Sequence, residues 1–109
     1  MKVKMKVFEL TGRALDWAVA KCEGINQRGP DNPVDRPMSY TYRPSTDWAQ
    51  GGPIIDREGI ATDFDGDDWC ASTNTKPLAN YASTPLIAAM RCHVASKLGD
   101  VVDVPEELT

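Results

Sequence analysis

Residues 24–53 contain five of the eight prolines and four of the eight glycines of the chain. Because prolines and glycines at this density interrupt both helices and strands, regular structure is expected mainly outside this segment. A connection of this length within a small domain is usually either functional or disordered. Its aromatic residues Tyr40, Tyr42 and Trp48 argue against simple disorder, since disordered segments are poor in aromatics. The spacing of the tyrosines predicts a short extended piece over residues 38–42.

On the N-terminal side of this segment, the sequence predicts a helix over Gly12–Glu23. Thr11 is a suitable N-cap residue, and Gly24 is typical of the residue that follows a helix end. Trp17 lies opposite the apolar stripe of this helix, and the large area of an indole favours packing against a second layer over exposure. The stripe itself has three-and-four spacing and consists of Leu15, Ala18, Val19 and Cys22.

The N-terminal segment alternates lysine with apolar residues, which predicts a strand over Lys2–Phe8. Its lysines, Lys2, Lys4 and Lys6, would share one solvated face, where lysine protects an edge strand from pairing with other edges. The whole chain has 12 Lys and Arg against 16 Asp and Glu. This acidic balance argues against generic nucleic-acid binding, which depends on basic contacts to phosphates.

On the C-terminal side, Ile60–Phe64 and Asp67–Ser72 flank an Asp-Gly pair, which predicts an antiparallel hairpin. A second helix is predicted between Thr84 as the N-cap and Gly99, and a short strand follows over Val101–Val104. This helix has an apolar stripe with His93 and Lys97 at its border, formed by Leu86, Ile87, Met90, Val94 and Leu98. Small residues form a second face that another element could approach closely: Ala88, Cys92, Ala95 and Ser96.

These elements predict one α+β domain over residues 1–109, with a small, mainly antiparallel sheet of three to five short strands. Two amphipathic helices would cover the sheet, and the long Pro/Gly-rich loop would cross one edge. Leu, Ile, Val and Phe make up only 21 of the 109 residues. A thin aliphatic core favours self-association, most simply as a two-fold homodimer.

Several chemistries find no support in the residue pattern. The acidic segment Asp63–Asp68 does not have calcium-loop spacing, so we interpret it as a solvated hairpin turn and expect no metal and no cofactor. His93 is the only histidine, and its position on a helix prevents a catalytic pair with the adjacent Cys92. The three cysteines lack metal-binding or disulfide spacing and predict reduced thiols. The sequence contains neither a secretory signal nor a membrane-spanning run, which favours the cytoplasm.

The most plausible binding site lies near the end of the Pro/Gly-rich loop. Ser45 or Thr46 could cap a single helical turn that the Gly51-Gly52 pair ends, while residues 54–59 stay ambiguous. An exposed Trp48 could anchor a partner, or it could fill the small core, and the sequence favours the core. The candidate site residues, for a ligand or a protein partner, are Asp47, Trp48, Gln50, Gly51, Gly52, Tyr40, Tyr42 and Arg43. No catalytic residue is predicted.

Three long blocks, residues 9–24, 45–55 and 84–92, together with the closing Val104–Leu108, resemble the NinX-like proteins of lambda-type phages and prophages. The resemblance covers nearly the whole chain. It implies a small protein made inside an infected enterobacterial cell, from a gene neighbourhood of recombination and transcription-control accessories. It implies no catalytic residues.

Two functional hypotheses follow. The first is a nonenzymatic phage accessory that binds a host or phage protein in the host cytoplasm. The alternative is a small enzyme or ligand-binding protein with a pocket near Trp48. The acidic balance and the missing catalytic constellation favour the first, while a deep pocket lined by Asp47, Trp48 and Gln50 would favour the second.

Overall fold

The computed structural model describes residues 2–24, 42–73 and 80–108. Within these ranges, helices and short strands form an α+β fold, which confirms the predicted class. None of the helices described is long and apolar enough to cross a membrane. In chain order, the elements are β1 (Lys2–Lys6), a 3₁₀ turn (Val7–Glu9), α1 (Gly12–Cys22), α2 (Trp48–Glu58), β2 (Ala61–Phe64), β3 (Trp69–Ser72), β4 (Asn80–Ala82), α3 (Pro85–Leu98), β5 (Val101–Pro105) and a final 3₁₀ turn (Glu106–Leu108).

The strands form two antiparallel sheets. In one, β1 pairs with β5, so that Met5 lies opposite Val102 and Lys4 opposite Asp103. In the other, β3 lies between β2 and β4. The first and last strands, which pair with each other, are distant in sequence. Local sequence patterns therefore did not indicate that the strands divide into two sheets. The predicted first strand ends at Lys6, because Val7 begins a 3₁₀ turn.

Helix α3 is the centre of the core and packs against α1, α2 and the three-stranded sheet. Its N-cap and end are as predicted: the Thr84 hydroxyl accepts a hydrogen bond from the Ile87 N–H, and Gly99 follows with a positive φ of 92°. Both the apolar stripe and the small-residue face are largely buried, which confirms that the helix is covered on two sides. His93, at the border of the apolar stripe, is buried as well.

Helix α1 packs on α3 and on the β1–β5 ribbon. Thr11 is the N-cap residue by position, although its side chain makes no capping bond. Trp17 is only 3% exposed, which confirms that it packs against a second layer. The ammonium groups of Lys2 and Lys21 lie 5.1 and 5.3 Å from the centre of its ring, close enough for cation–π attraction.

Helix α2 differs most from the sequence prediction. The Gly51-Gly52 pair does not end a single turn, because the helix continues through Pro53 to Glu58 and closes at Gly59, where φ is +64°. Asp47, and neither Ser45 nor Thr46, is the N-cap residue. The predicted Met38–Tyr42 extended piece lies outside the described residues, except for Tyr42.

The hairpin formed by β2 and β3 confirms the prediction. The Asp65 N–H donates to the Asp68 carbonyl at 3.0 Å. One oxygen of the Asp65 carboxylate accepts the N–H groups of Asp67 and Asp68, both at 2.9 Å. These bonds hold the pKa of Asp65 below its usual range, because they stabilise the charged form. The Asp65 carboxylate therefore stabilises the hairpin turn, in agreement with the interpretation of Asp63–Asp68 as a turn.

Candidate functional site

The start of α2 and the turn before it form one exposed surface. We define the Trp48 surface as the side chains of Arg43, Thr46, Trp48 and Ala49, all of which are exposed. Trp48 is the largest of these, with 56% of its surface exposed. The preference for a core position of Trp48 is therefore wrong. As the first helical residue it projects from the end of α2 instead of filling the centre of the molecule.

Two side chains fix the turn that carries this surface. The Asp47 carboxylate accepts the Ala49 N–H at 3.0 Å, which caps the helix, and its other oxygen accepts the Gln50 side-chain amide at 3.0 Å. The Gln50 side-chain oxygen accepts the Arg43 N–H at 2.8 Å. The Arg43 carbonyl accepts the N–H groups of Thr46 and Asp47, at 3.1 and 2.9 Å. These bonds join both ends of the turn to the first turn of α2.

The same turn is anchored to the core from beneath. Asp16 is a buried carboxylate on α1, and it accepts the Ser45 N–H at 2.9 Å. Burial raises the pKa of Asp16, and the hydrogen bond from Ser45 opposes this rise. Gly51 packs directly on the Pro44 carbonyl and on Leu86 of α3, so closely that a Cβ there would overlap both. The Trp48 surface therefore rests on a support with little freedom to move.

The structure brings part of the predicted site together. Arg43, Asp47, Trp48, Gln50 and the glycine pair all lie at the start of α2. The side-chain groups of Asp47 and Gln50 hydrogen-bond each other and the backbone, which makes them supports of the turn. Gly51 is buried and serves packing, whereas Gly52 lies beside the Trp48 ring. Tyr40 lies outside the described residues.

Tyr42 is half-buried, in contrast to Trp48. Burial is the main cause that raises the pKa of its phenol, and the carboxylates of Glu23 and Asp16 act in the same direction. Tyr42 therefore stays neutral at physiological pH. Tyr42 is therefore not part of the exposed Trp48 surface.

A second polar cluster links the three helices and was not predicted. Glu23, just past the end of α1, receives two bonds from the Arg57 guanidinium, at 2.8 and 2.6 Å. Arg57 also bonds Glu58, which in turn pairs with Lys97 at 3.2 Å. Nε2 of the buried His93 lies 2.8 Å from Glu23. Hydrogen bonds from Arg57 are the main cause that lowers the pKa of Glu23, so the carboxylate is charged at neutral pH.

His93 is suited to support and not to proton transfer. Burial lowers its pKa despite the hydrogen bond to Glu23, so the ring is neutral at pH 7. Because Glu23 is an acceptor, the proton lies on Nε2; Nδ1 has no hydrogen-bond partner among the residues described. Nearby, burial raises the pKa of Cys22 to about 12, so this thiol is protonated and a poor nucleophile.

Within this second cluster, the local sequence gives a signal only for Glu23. It is an acidic residue at the C-terminal end of a predicted helix, where a carboxylate is unfavourable unless it is paired. Arg57 and His93 carried no local signal, because their partners come from other helices. No group of three His, Cys, Asp or Glu residues within residues 2–24, 42–73 and 80–108 is arranged to hold a metal ion.

Comparison with known proteins connects the chain to a phage family. A family model described as "Bacteriophage P22, NinX" matches residues 6–97, which is most of the chain and includes α1, α2 and all of α3 except its last residue. No curated protein matches the chain.

Proposed function

Because this chain belongs to the bacteriophage P22 NinX family, we propose that it is a phage accessory protein that binds a host or phage protein through the Trp48 surface. We place this action in the cytoplasm of the infected bacterial cell. The role proposed is nonenzymatic.

The observation that carries the proposal is an exposed tryptophan on a fixed support. Tryptophan and arginine provide much of the binding energy at protein interfaces, and the Trp48 surface contains both. Leaving an indole 56% exposed has no evident benefit to folding, and the indole of Trp17 in the same chain is only 3% exposed. The bonds of Asp47 and Gln50 order this surface before binding, which reduces the entropy lost on association.

The ligand-binding alternative draws less support from the same geometry. A small-molecule site needs a few polar groups that converge on the ligand. At the start of α2, the polar groups of Asp47 and Gln50 converge on each other and on the Arg43 and Ala49 N–H groups. The proposal therefore favours a protein partner over a bound small molecule.

The test is capture of partners from phage-infected cells with tagged protein, followed by quantitative mass spectrometry. Trp48→Ala is the test variant, and Tyr81→Ala is a matched control because Tyr81 is another exposed aromatic, 50% exposed. A protein captured by the parent and by Tyr81→Ala, but lost with Trp48→Ala, supports the proposal. Its direct affinity should then fall by about 2 kcal/mol or more in the Trp48 variant. Identical captured sets for all three proteins would refute a role for Trp48.

Homodimerisation stays a prediction, and the capture experiment with Trp48→Ala does not test it.

A further inference from the structure

In the described part of the chain, strands β1, β2, β4 and β5 each pair with one neighbour only and so leave one edge open. Of these four strands, β1 and β2 have the largest share of exposed residues. All four residues of β2 are exposed, as are four of the five residues of β1. Such edges present backbone N–H and C=O groups that can pair with another strand.

The backbone hydrogen bonds show which groups of β1 point outward. The Val7 N–H donates to the Asp100 carbonyl at 2.9 Å, on the side of β5. Because these directions alternate along an antiparallel strand, Val3 and Met5 also bond β5, and the lysines turn their backbone groups away. The Lys6 N–H confirms this direction, since it donates to the Glu9 carboxylate at 3.1 Å and not to β5.

The same reasoning applies to β2. The Asp65 N–H bonds the Asp68 carbonyl across the hairpin, so Asp63 and Ala61 bond β3 as well. Thr62 and Phe64 turn their backbone groups outward. The Phe64 N–H has a local acceptor, the Asp63 carboxylate, at 3.0 Å.

We propose that β1 pairs in parallel with β2 of a second copy of this chain, with Lys4 beside Asp63. In a parallel pair, an outward-facing residue bonds the two residues that flank its neighbour on the other strand. Lys4 would donate its N–H to the Thr62 carbonyl and accept the Phe64 N–H. The Asp63 carboxylate, released from the Phe64 N–H, would join Asp103 of the chain that carries Lys4, which lies 3.5 Å from the exposed Lys4 ammonium, in facing that ammonium.

Charge and shape favour this register over the alternatives. It places Lys6 beside Asp65 on the charged face, and Met5 beside Phe64 on the apolar face. Antiparallel pairing of β1 with β2 would instead put the lysine stripe over Thr62 and Phe64, because outward residues then face each other directly. Pairing of β1 with another β1 in antiparallel register would place Lys4 against Lys4, which is unfavourable.

The contact would also cover apolar surface that one copy leaves open. Val3 is 38% exposed and Phe64 is 51% exposed. A chain with a thin aliphatic core gains from such burial. The lysines of β1 disfavour pairing with another lysine-bearing strand, and Asp63 of β2 disfavours pairing with another acidic strand. Each edge therefore pairs more favourably with a strand of opposite charge. Because the contact joins two different edges, its repetition gives either a closed assembly, of which a dimer is the smallest, or an open row of copies.

The test is a charge exchange at one pair of positions, read by sedimentation. The parent protein should associate when its concentration is raised to about 1 mM. High salt should weaken the association, because it screens the attraction between the charged side chains. Lys4→Glu and Asp63→Lys should each raise the dissociation constant by about tenfold or more, because like charges then meet. An equimolar mixture of the two variants should restore association, since the carboxylate introduced on β1 of one variant meets the ammonium introduced on β2 of the other. Thermal unfolding of each variant checks that its fold is intact.

Two further variants test whether the backbone of β2 takes part in the contact and whether the charge effect is specific to position 63. Thr62→Pro removes an N–H that points away from β3, so the hairpin should stay folded while association is lost. Asp56→Lys makes the same charge change as Asp63→Lys at an exposed position on α2, and it should leave association unchanged. The proposal is overturned if the parent is monomeric throughout, if the mixture does not restore association, or if Thr62→Pro associates like the parent. Binding of infected-cell proteins at Trp48 is unaffected by these outcomes.

Discussion

Nε2 of His93 lies 2.8 Å from Oε2 of Glu23, so a buried ring of α3 contacts the carboxylate that follows the end of α1. Arg57 holds the same carboxylate from α2. A negative charge at a helix C-terminus is unfavourable with respect to the helix dipole. The bonds from Arg57 and His93 offset this cost and join the three helices at one point.

This contact predicts a loss of stability on acidification. Burial holds the pKa of native His93 below its ordinary value of 6.5, so below that pH the unfolded chain binds a proton that the native protein does not. The free energy of unfolding should therefore fall as the pH decreases from about 6.5. The slope for one proton is at most about 1.4 kcal/mol per pH unit. Glu23, whose native pKa is lowered from 4.5, adds a second loss as the pH falls below 4.5.

His93→Gln tests the first of these two stages, because glutamine can still donate to Glu23 but does not titrate. We expect urea unfolding of this variant to show a flatter dependence on pH between 6.5 and 4.5, with the loss below 4.5 retained. The other titrating groups are common to both proteins, so the difference isolates His93. Parallel curves for the two proteins would contradict the prediction.

The glycine pair in α2 provides a second prediction. A Cβ at Gly51 would lie 2.6 Å from Cδ1 of Leu86 and would overlap the Pro44 carbonyl, whereas at Gly52 the nearest atom is 3.9 Å away, on Trp48. Gly51→Ala should therefore lower the free energy of unfolding by about 1–3 kcal/mol, as overpacking does. Gly52→Ala should raise it by about 0.5–1 kcal/mol, because alanine favours the helix. Equal effects of the two substitutions in urea unfolding would show that the packing at Gly51 is not close.

These glycines also show where sequence reasoning reached its limit. Gly51-Gly52-Pro53 has the composition of a turn, but Gly51 is glycine because the helix crosses Pro44 and Leu86 closely. The true end, Gly59, is typical of a helix C-terminus and lies in a segment that stayed ambiguous in sequence. Pro53 is exposed, so the helix carbonyl that loses its partner there can bond water.

Elements with local signals were predicted well. Thr84, Pro85 and Gly99 determine the ends of α3, and Asp65-Gly66 determines the hairpin turn. Contacts between distant segments were not predicted, such as Asp16 with Ser45, or β1 with β5. Several of the candidate site residues lie together at the start of α2, but the fixed turn that carries them was unforeseen, and Trp48 was expected in the core.

The position of the α2 N-cap gives a third prediction. Asp47 caps the helix through the Ala49 N–H and also accepts the Gln50 side chain. Asp47→Ala should lower stability by about 1 kcal/mol, within the range of lost N-caps. Thr46→Ala, at the position that sequence alone offered as a cap, should change it by less than about 0.5 kcal/mol. A larger loss with Thr46→Ala than with Asp47→Ala would place the helix start one residue earlier.

The last prediction contrasts two tryptophans of the same chain. Trp17 is 3% exposed and covered by lysine side chains, while Trp48 is 56% exposed at the end of α2. Trp17→Ala should cost about 3–5 kcal/mol of stability, as truncation of a buried tryptophan does. Trp48→Ala should cost less than about 1 kcal/mol, because little of its packing depends on the core. Thermal and urea unfolding of both variants measures the difference. A loss with Trp48→Ala comparable to that with Trp17→Ala would mean that the indole stabilises the fold, and binding could then no longer be assigned as the reason for its exposure.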